Sequence, residues 1–443
     1  METKRDIRIN IPLRLWVILL VGMVFRPGNS RAYALESYDT EVEERLSTCE
    51  ADEPNEREVS KIVRRLDELM KDTVLDDSEV GIIVYDLKEK KTLYEYQAEK
   101  LYRPASVQKI VTAVAALEFL GKAYRLETKM GYIGQLREDS TLAGDLYVKG
   151  GMDPLWSEND MQQWSREVKN AGIKRIEGRV VGDRSLKDTL KWGLGWCWDD
   201  NMPVLTPLLC EQKDSFIVTM HRALRSEGIE IGDTTVCYND TIADSIVTHI
   251  ATQQRKLTEV MECMMKKSDN LHAEALFYHL ASAYMKHPDQ ALEEGNPEET
   301  PRYASTEQGA KMLGKLIAKL GHNPKRYCMA DGSGVSLYNY LTPRLLMDIL
   351  VYAYNNREIF NPLYGSLPIS GIDGTLQYRM KGTAAYRSVR AKTGTLAGVC
   401  SLAGYAKAAN GKMLAFVIIN QNKLNRKATR KWQDRVCEAL CKD

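Results

Sequence analysis

Three short clusters of residues carry the types and spacing that covalent chemistry needs. Ser106 and Lys109, in RPASVQK, are three apart at the start of an apolar helical run, so both side chains point to one face. A hydroxyl is a poor nucleophile until a base takes its proton. Lys109 serves as that base if burial or a second cation lowers its pKa. The helix N-terminus adds positive potential that favours a developing oxyanion. Alone the pattern S-x-x-K is weak, with about one chance occurrence in a chain this long. A capping serine beside a solvated lysine has the same spelling. Lys392-Thr393-Gly394-Thr395 falls in a strand pattern, where a glycine marks close approach by a ligand or another backbone. Lys392 is placed to hold a substrate carboxylate, with the hydroxyls of Thr393 and Thr395 assisting; an edge-strand lysine beside a packing glycine is the plainer alternative. Ser268-Asp269-Asn270 breaks one helical pattern and opens the next, which an ordinary N-cap also does. The similar Ser157-Glu158-Asn159 lies in an irregular stretch with no helix ending before it, so Ser268 is preferred.

The elements around these clusters follow from apolar periodicity. Val59, Ile62, Val63, Leu66 and Leu69 predict a helix over 57–71. Gly81–Asp86 and Thr92–Tyr96 read as a hairpin, followed by a helix that starts near Ser106 and ends at Gly121, apolar on most sides. Residues 131–250 are less regular, with strand-like pieces at Asp145–Lys149, Gly178–Val181 and Ser215–Met220. Helices follow at Lys256–Met265, Leu271–Met285 and about 305–320. The clearest part is C-terminal: strands Val389–Leu396, Val399–Lys407 and Met413–Asn420, an Asn410-Gly411 turn, and a closing helix over 427–441. Strands at both ends with helices between suggest one α/β domain, residues 35–130 and 256–443, interrupted by an insertion at 131–255.

Lys4, Arg5 and Arg8 precede an apolar run, Leu15–Phe25, and Ala32-Tyr33-Ala34 supplies small residues at a cleavage site. Residues 1–34 read as a secretory signal peptide, because eleven residues are too short to span a bilayer comfortably. Cleavage leaves 409 residues with net charge −3. The balance of 61 Lys and Arg against 60 Asp and Glu gives no support to a nucleic-acid partner. Nine scattered cysteines without C-x-x-C suggest neither zinc nor thioredoxin-type chemistry. His272 and His279, seven apart on one helix, lack the acidic framework of a metal site. Trp192, Trp196 and Trp198 read as packing in the insertion rather than as a glycan platform.

Taken together, the trio S-x-x-K, S-D-N and K-T-G in that order is the signature of active-site-serine penicillin-recognising enzymes. The chain resembles the D-alanyl-D-alanine carboxypeptidase/endopeptidases of the class C low-molecular-mass penicillin-binding proteins, peptidase family S13. The resemblance covers most of residues 80–425 and includes RPASVQK, GDLYVKGGMDPLW, KKSDNLHAEAL, DGSGVSLYN, SGIDGTLQYRM and VRAKTGTLAGVCSLAGY. It implies a serine transpeptidase/β-lactamase-like α/β fold, an antiparallel sheet flanked by helices, with an inserted domain. It also implies a periplasmic serine-type DD-peptidase acting on peptidoglycan stem peptides, and on β-lactam antibiotics as mimics, without a cofactor or metal. By the same resemblance Ser106 is acylated and Lys109 is the general base. Ser268 and Asn270 shuttle the proton and hold the substrate amide, and Lys392 positions the terminal carboxylate beside Thr393. The N–H groups of Ser106 and Thr395, next to Gly394, form the oxyanion hole. Asp153, in GGMDPLW, matches an Asp that grips the amino end of the substrate's diamino-acid side chain. The sequence departs from the family where Leu337 replaces the Arg that would grip the carboxylate end, and Arg344 or Arg379 is the alternative cation. Two readings stay open beside the peptidase. One is a β-lactamase, although Glu307 is followed by Lys311 where an Asn is needed. The other is a non-catalytic cell-wall binding protein.

Overall fold

The computed structural model describes residues 54–76, 78–197, 202–239, 244–286 and 303–442. The predicted signal peptide and Trp198 lie outside these residues. The chain runs from α1 (Pro54–Leu69) into the hairpin β1 (Glu79–Asp86) and β2 (Lys91–Tyr96), then α2 (Gln108–Phe119). Next come β3 (Arg125–Leu136), β4 (Thr141–Lys149), α3 (Glu158–Asn170), β5 (Arg175–Ile176), β6 (Val180–Asp183), α4 (Phe216–Ser226), β7 (Glu230–Ile231), β8 (Cys237–Asn239) and β9 (Thr248–Lys256). Five helices follow: α5 (Leu257–Lys266), α6 (Asn270–Met285), α7 (Thr306–Lys319), α8 (Pro343–Asn355) and α9 (Arg357–Ser366). The chain closes with β10 (Val389–Leu396), β11 (Val399–Lys407), β12 (Met413–Gln421) and α10 (Arg426–Cys441).

The first sheet has five strands in the order β10-β11-β12-β1-β2. Its pairings are antiparallel throughout, with Glu79 opposite Gln421 and Gly394 opposite Ser401. The central strands β11 and β12 are apolar and buried on both faces, so helices must cover both. On one face α1 and α10 pack against Ile82, Val84, Leu402, Phe416 and Ile418. Trp432 Nε1 on α10 donates to the carbonyl of Leu69 at 2.8 Å and ties these two helices together. On the other face Ile83, Ala403, Val417 and Ile419 join a core built from α2 and α5–α9. The helix α2 is buried from Gln108 to Leu117, as its all-round apolar sequence requires.

A second sheet, β7-β5-β4-β3-β9 with β6 and β8 attached through β4, takes all its strands from residues 125–256. Its own core is held by Trp156, Trp164 and Phe216, with ring centroids 4.7 and 5.1 Å from Trp156. The strand-like reading of Ser215–Met220 is corrected here, because Phe216 opens α4. The β-branched run SFIVTM hides a helical period: Phe216, Ile217, Met220, Ala223 and Leu224 all face the core. Likewise Ser157 caps α3 in a capping box with Asp160, which explains the rival S-x-N without catalysis.

Candidate active site

Ser106 sits in a 3-10 turn, Ala105–Val107, one step before α2, rather than in the first α-helical turn. Pro104 introduces this turn with helical dihedrals, and Ala105 is held at φ +51°. Left-handed backbone at a non-glycine residue costs on the order of 1–3 kcal/mol and persists only where surroundings enforce it. Here β10 and the loop after α7 enforce it. A Cβ on Gly334 would strike the carbonyl of Ala105, and one on Gly394 would lie 3.0 Å from the backbone N of Ser106. Ser401 Oγ, opposite Gly394, donates to the carbonyl of Pro104 at 2.6 Å.

Lys109 is fully buried, and its Nζ has three partners: Ser106 Oγ at 3.0 Å, Asn270 Oδ1 at 2.7 Å and the Ser333 carbonyl at 2.7 Å. Burial pushes the ammonium down to about 8, against the opposing charges of Asp331, Glu274 and Asp269. As a neutral amine Lys109 has two N–H groups for Asn270 and Ser333 and one lone pair for the Ser106 hydroxyl. The geometry therefore satisfies both protonation states.

Lys392 is also buried and donates to Ser268 Oγ at 2.7 Å and to the Thr393 carbonyl at 2.8 Å. Burial, then the charge of Lys109, pushes its pKa well below the ordinary value. Ser268 itself is held at φ +61° between α5 and α6. Asp269 caps α6, accepting from the N–H of His272 at 3.2 Å. Despite its burial, the hydrogen bond and charge of His272 keep the Asp269 carboxyl at about 2. That cap fixes Asn270, whose amide donates to Met202 Sδ at 3.1 Å. Thr393 Oγ1 donates to Thr375 Oγ1 at 2.8 Å, and Thr395 Oγ1 accepts from Arg430 at 3.0 Å. The structure thus brings Ser106, Lys109, Ser268, Asn270, Lys392 and Gly394 to one place. The strand β10 is the sheet edge, and the loop 368–370 bonds to it only as far as Ala391. Among the described residues the edge from Lys392 to Leu396 has no strand partner on its outer side.

Two acidic residues of this cluster were not singled out in the sequence. Glu274, one turn after Asn270 and 1% exposed, accepts from the N–H of Ser333 at 2.9 Å and of Gly332 at 3.3 Å. Burial, then the charge of Asp331, pushes its carboxyl up to about 8. Asp331 accepts from the N–H groups of Gly334 and Ser336, the Asn339 amide and Trp196 Nε1. These two carboxyls shape the 331–336 loop so that the Ser333 carbonyl meets Lys109. The glycine-rich spelling DGSG signals a tight loop, but not that its carbonyl serves a lysine.

Asp153 departs from expectation. It is buried, its oxygens accept from the Leu155 N–H at 2.9 Å and from Arg255 Nε at 3.0 Å, and its charge is met by Arg255 rather than offered outward. Leu337 is 36% exposed, while Arg344 pairs with Glu95 and Arg379 with Asp434. Both arginines are thus engaged with carboxylates of the chain itself. Glu307 is an exposed partner of Lys311 on α7. His279 is buried between the Tyr124 hydroxyl and the Gly151 carbonyl, 3.0 and 2.8 Å away. Trp192 is exposed. No disulfide joins Cys210, Cys237, Cys263, Cys328, Cys400, Cys437 or Cys441. No helix among the described residues is long and apolar enough to cross a membrane.

The model of the D-Ala-D-Ala carboxypeptidase 3 (S13) family matches residues 62–209 and 208–441. The D-alanyl-D-alanine carboxypeptidase DacB of Haemophilus influenzae is 26% identical over 427 residues, covering 77% of this chain and 85% of that protein. The crystal structure of penicillin-binding protein 4 from the same organism superposes with a TM-score of 0.72 at 23% identity, covering 86% of this chain and 98% of that one. Its complex with a β-lactam superposes at 0.65 and 24% identity, over 85% and 97% of the two chains. These likenesses establish the serine transpeptidase/β-lactamase-like fold.

Proposed function

Because this chain belongs to the D-Ala-D-Ala carboxypeptidase 3 (S13) family and is a serine-type carboxypeptidase, we propose that it cleaves peptidoglycan stem peptides through an acyl-enzyme on Ser106. The observation that carries the reading is the buried Lys109 Nζ, 3.0 Å from Ser106 Oγ. At pH 7 a lysine of pKa about 8 is about 9% neutral, against about 0.03% at the unperturbed 10.5, so burial raises the basic fraction about 300-fold.

Neutral Lys109 takes the Ser106 proton as Oγ bonds to the carbonyl carbon of the penultimate D-alanine. The resulting oxyanion lies against the N–H groups of Ser106 and Thr395. When the intermediate collapses, the C–N bond breaks and the departing amine takes a proton through Ser268, which is hydrogen-bonded from Lys392. Asn270 holds the substrate amide, and the open edge of β10 receives the extended peptide as an added strand. Water then attacks the ester and frees Ser106. Penicillin enters by the same first step, because its strained amide presents the same carbonyl. Peptide cross-links ending on a D-centre offer equivalent groups, so endopeptidase action belongs to the same reading. Export to the periplasm, by cleavage after Ala34, puts the enzyme beside its substrate. The inserted domain, expected at 131–255, takes in the second sheet, whose strands run from 125 to 256.

The test is covalent labelling. Labelled penicillin is expected to add its mass to the peptide containing Ser106, and Ser106→Ala to abolish both adduct and D-alanine release. Labelling of another residue, or continued hydrolysis by the alanine variant, would overturn the assignment.

A further inference from the structure

Any enzyme that removes a C-terminal residue must recognise the free carboxylate next to the scissile bond. The cation assigned to that task from sequence, Lys392, is buried and already donates to Ser268 Oγ and to the Thr393 carbonyl. Burial also disfavours its charge. A different cation stands at the outer side of the motif. Arg430, exposed on α10, donates to Thr395 Oγ1 at 3.0 Å. No carboxylate of a described residue lies within ion-pair distance of it. Its neighbours are committed elsewhere: Arg435 to Asp72 and Arg379 to Asp434.

We propose that Arg430, acting with the Thr395 hydroxyl, binds the free α-carboxylate of the substrate's departing residue and is a specificity-determining residue of the carboxypeptidase. The proposal rests on the reaction assigned above and names the group that reads the leaving residue.

The distances suit it. A Cβ on Gly394 would touch the backbone of Ser106, and Thr395, one step further along β10 and about 3.8 Å away between Cα atoms, turns its side chain to the α10 side of the sheet, where Leu402 and Arg430 lie. The terminal carboxylate of a bound peptide is likewise one residue beyond the carbonyl that Ser106 attacks, about 3.5 Å of extended chain. Because β10 is the sheet edge, a carboxylate lying along it meets the Thr395 hydroxyl from the open side. By accepting from Arg430, that hydroxyl is left free to donate its proton to the carboxylate. The charges of Arg430, Arg426, Arg379 and Lys423 all act on Cys400, directly opposite Thr395, so this corner of the sheet is cationic. Arg426, Lys427, Arg430 and Lys431 crowd the first half of α10. Cations near a helix N-terminus oppose the macrodipole, so helix stability does not account for them. A guanidinium remains charged at every working pH and presents a fork that matches a carboxylate.

The experiment compares D-alanine release from an acyl-D-Ala-D-Ala peptide with D-alaninamide release from the same peptide amidated at its C-terminus. Wild type is expected to prefer the free acid. Arg430→Ala should cut the ratio of the two kcat/KM values by about ten- to hundredfold, mainly through KM. Arg430→Lys should recover part of the ratio. Arg426→Ala, which keeps the Thr395 contact, should change it less than about twofold. A ratio unaltered by Arg430→Ala, or one lowered as much by Arg426→Ala, overturns the proposal. Failure of wild type to acylate Ser106 would instead overturn the parent mechanism, a separate observation made with Arg430 in place.

Discussion

Replacing Gly394 with alanine tests whether β10 positions the nucleophile. The added methyl would fall inside the hydroxyl of Ser401, 2.9 Å from the Pro104 carbonyl and 3.0 Å from the Ser106 N. Ordinary contacts at a Cβ begin near 3.4 Å. Ser401 can rotate away, but only by breaking its 2.6 Å hydrogen bond to Pro104. The two backbone contacts cannot rotate, so strand and turn must separate by about half an ångström. Overpacking of this kind costs about 1–3 kcal/mol of stability. Misplacement of reacting groups by about 1 Å costs about a hundredfold in rate, so this shift should slow acylation by about ten- to hundredfold. The assay is the second-order rate of penicillin labelling at Ser106, with thermal melting in parallel. Ser401→Ala removes the worst clash and leaves the two backbone contacts. The double variant Gly394→Ala/Ser401→Ala should therefore recover stability more than rate. Wild-type acylation by Gly394→Ala would refute the claim that this strand fixes the turn.

Other outcomes follow from the same site. Since Lys109 acts as base only when neutral and its pKa is lowered to about 8, acylation should rise with pH from about 6 and level off above about 8. A rate flat across this range, or falling with pH, would exclude Lys109 as the base. Glu274→Ala leaves two buried N–H groups without an acceptor, each worth about 1–3 kcal/mol, so denaturation midpoint and acylation rate should fall together. Glu274→Gln keeps one oxygen and should retain more of both, and an unchanged melt in the alanine variant would refute the clamp. Leu337 carries no charge, and the Nε of the adjacent Arg103 is taken by the Leu337 carbonyl at 3.1 Å, so peptides with a free or an amidated diamino-acid side-chain carboxylate should be hydrolysed with similar kcat/KM. Leu337→Arg should create a preference for the free acid of about ten- to hundredfold, and a strong wild-type preference would count against this reading.

Legibility from sequence followed how local the physics is. The strands β10 and β11 have the predicted bounds; β11 is largely apolar, and Gly398, at φ +71°, marks the turn between the two. Five groups of the three motifs fall into two hydrogen-bonded sets, Lys109 with Ser106 and Asn270, and Lys392 with Ser268. What stayed hidden was set by distant partners. Ser215–Met220 looks extended until Trp156 and Trp164 are packed against it. Asp153 resembles a ligand until Arg255 arrives from β9, about a hundred residues later. Glu274 and Arg430 have unremarkable neighbours in sequence, and only the 331–336 loop and Thr395 give them their meaning.

The order of strands in the first sheet bears on when activity can appear. The strand β1 is made early, yet its central partner is β12, with Glu79 opposite Gln421. Until the last thirty or so residues are available, β1 and β2 form an isolated hairpin, which is marginal in water. Nor can β10 be braced against Ser106, since β11 and β12 lie between it and β1. Pairing over such separation makes the closing step slow. An unfinished chain therefore lacks a working nucleophile, and a truncation before Met413 should yield an aggregation-prone fragment with a bare strand edge rather than a weakened hydrolase.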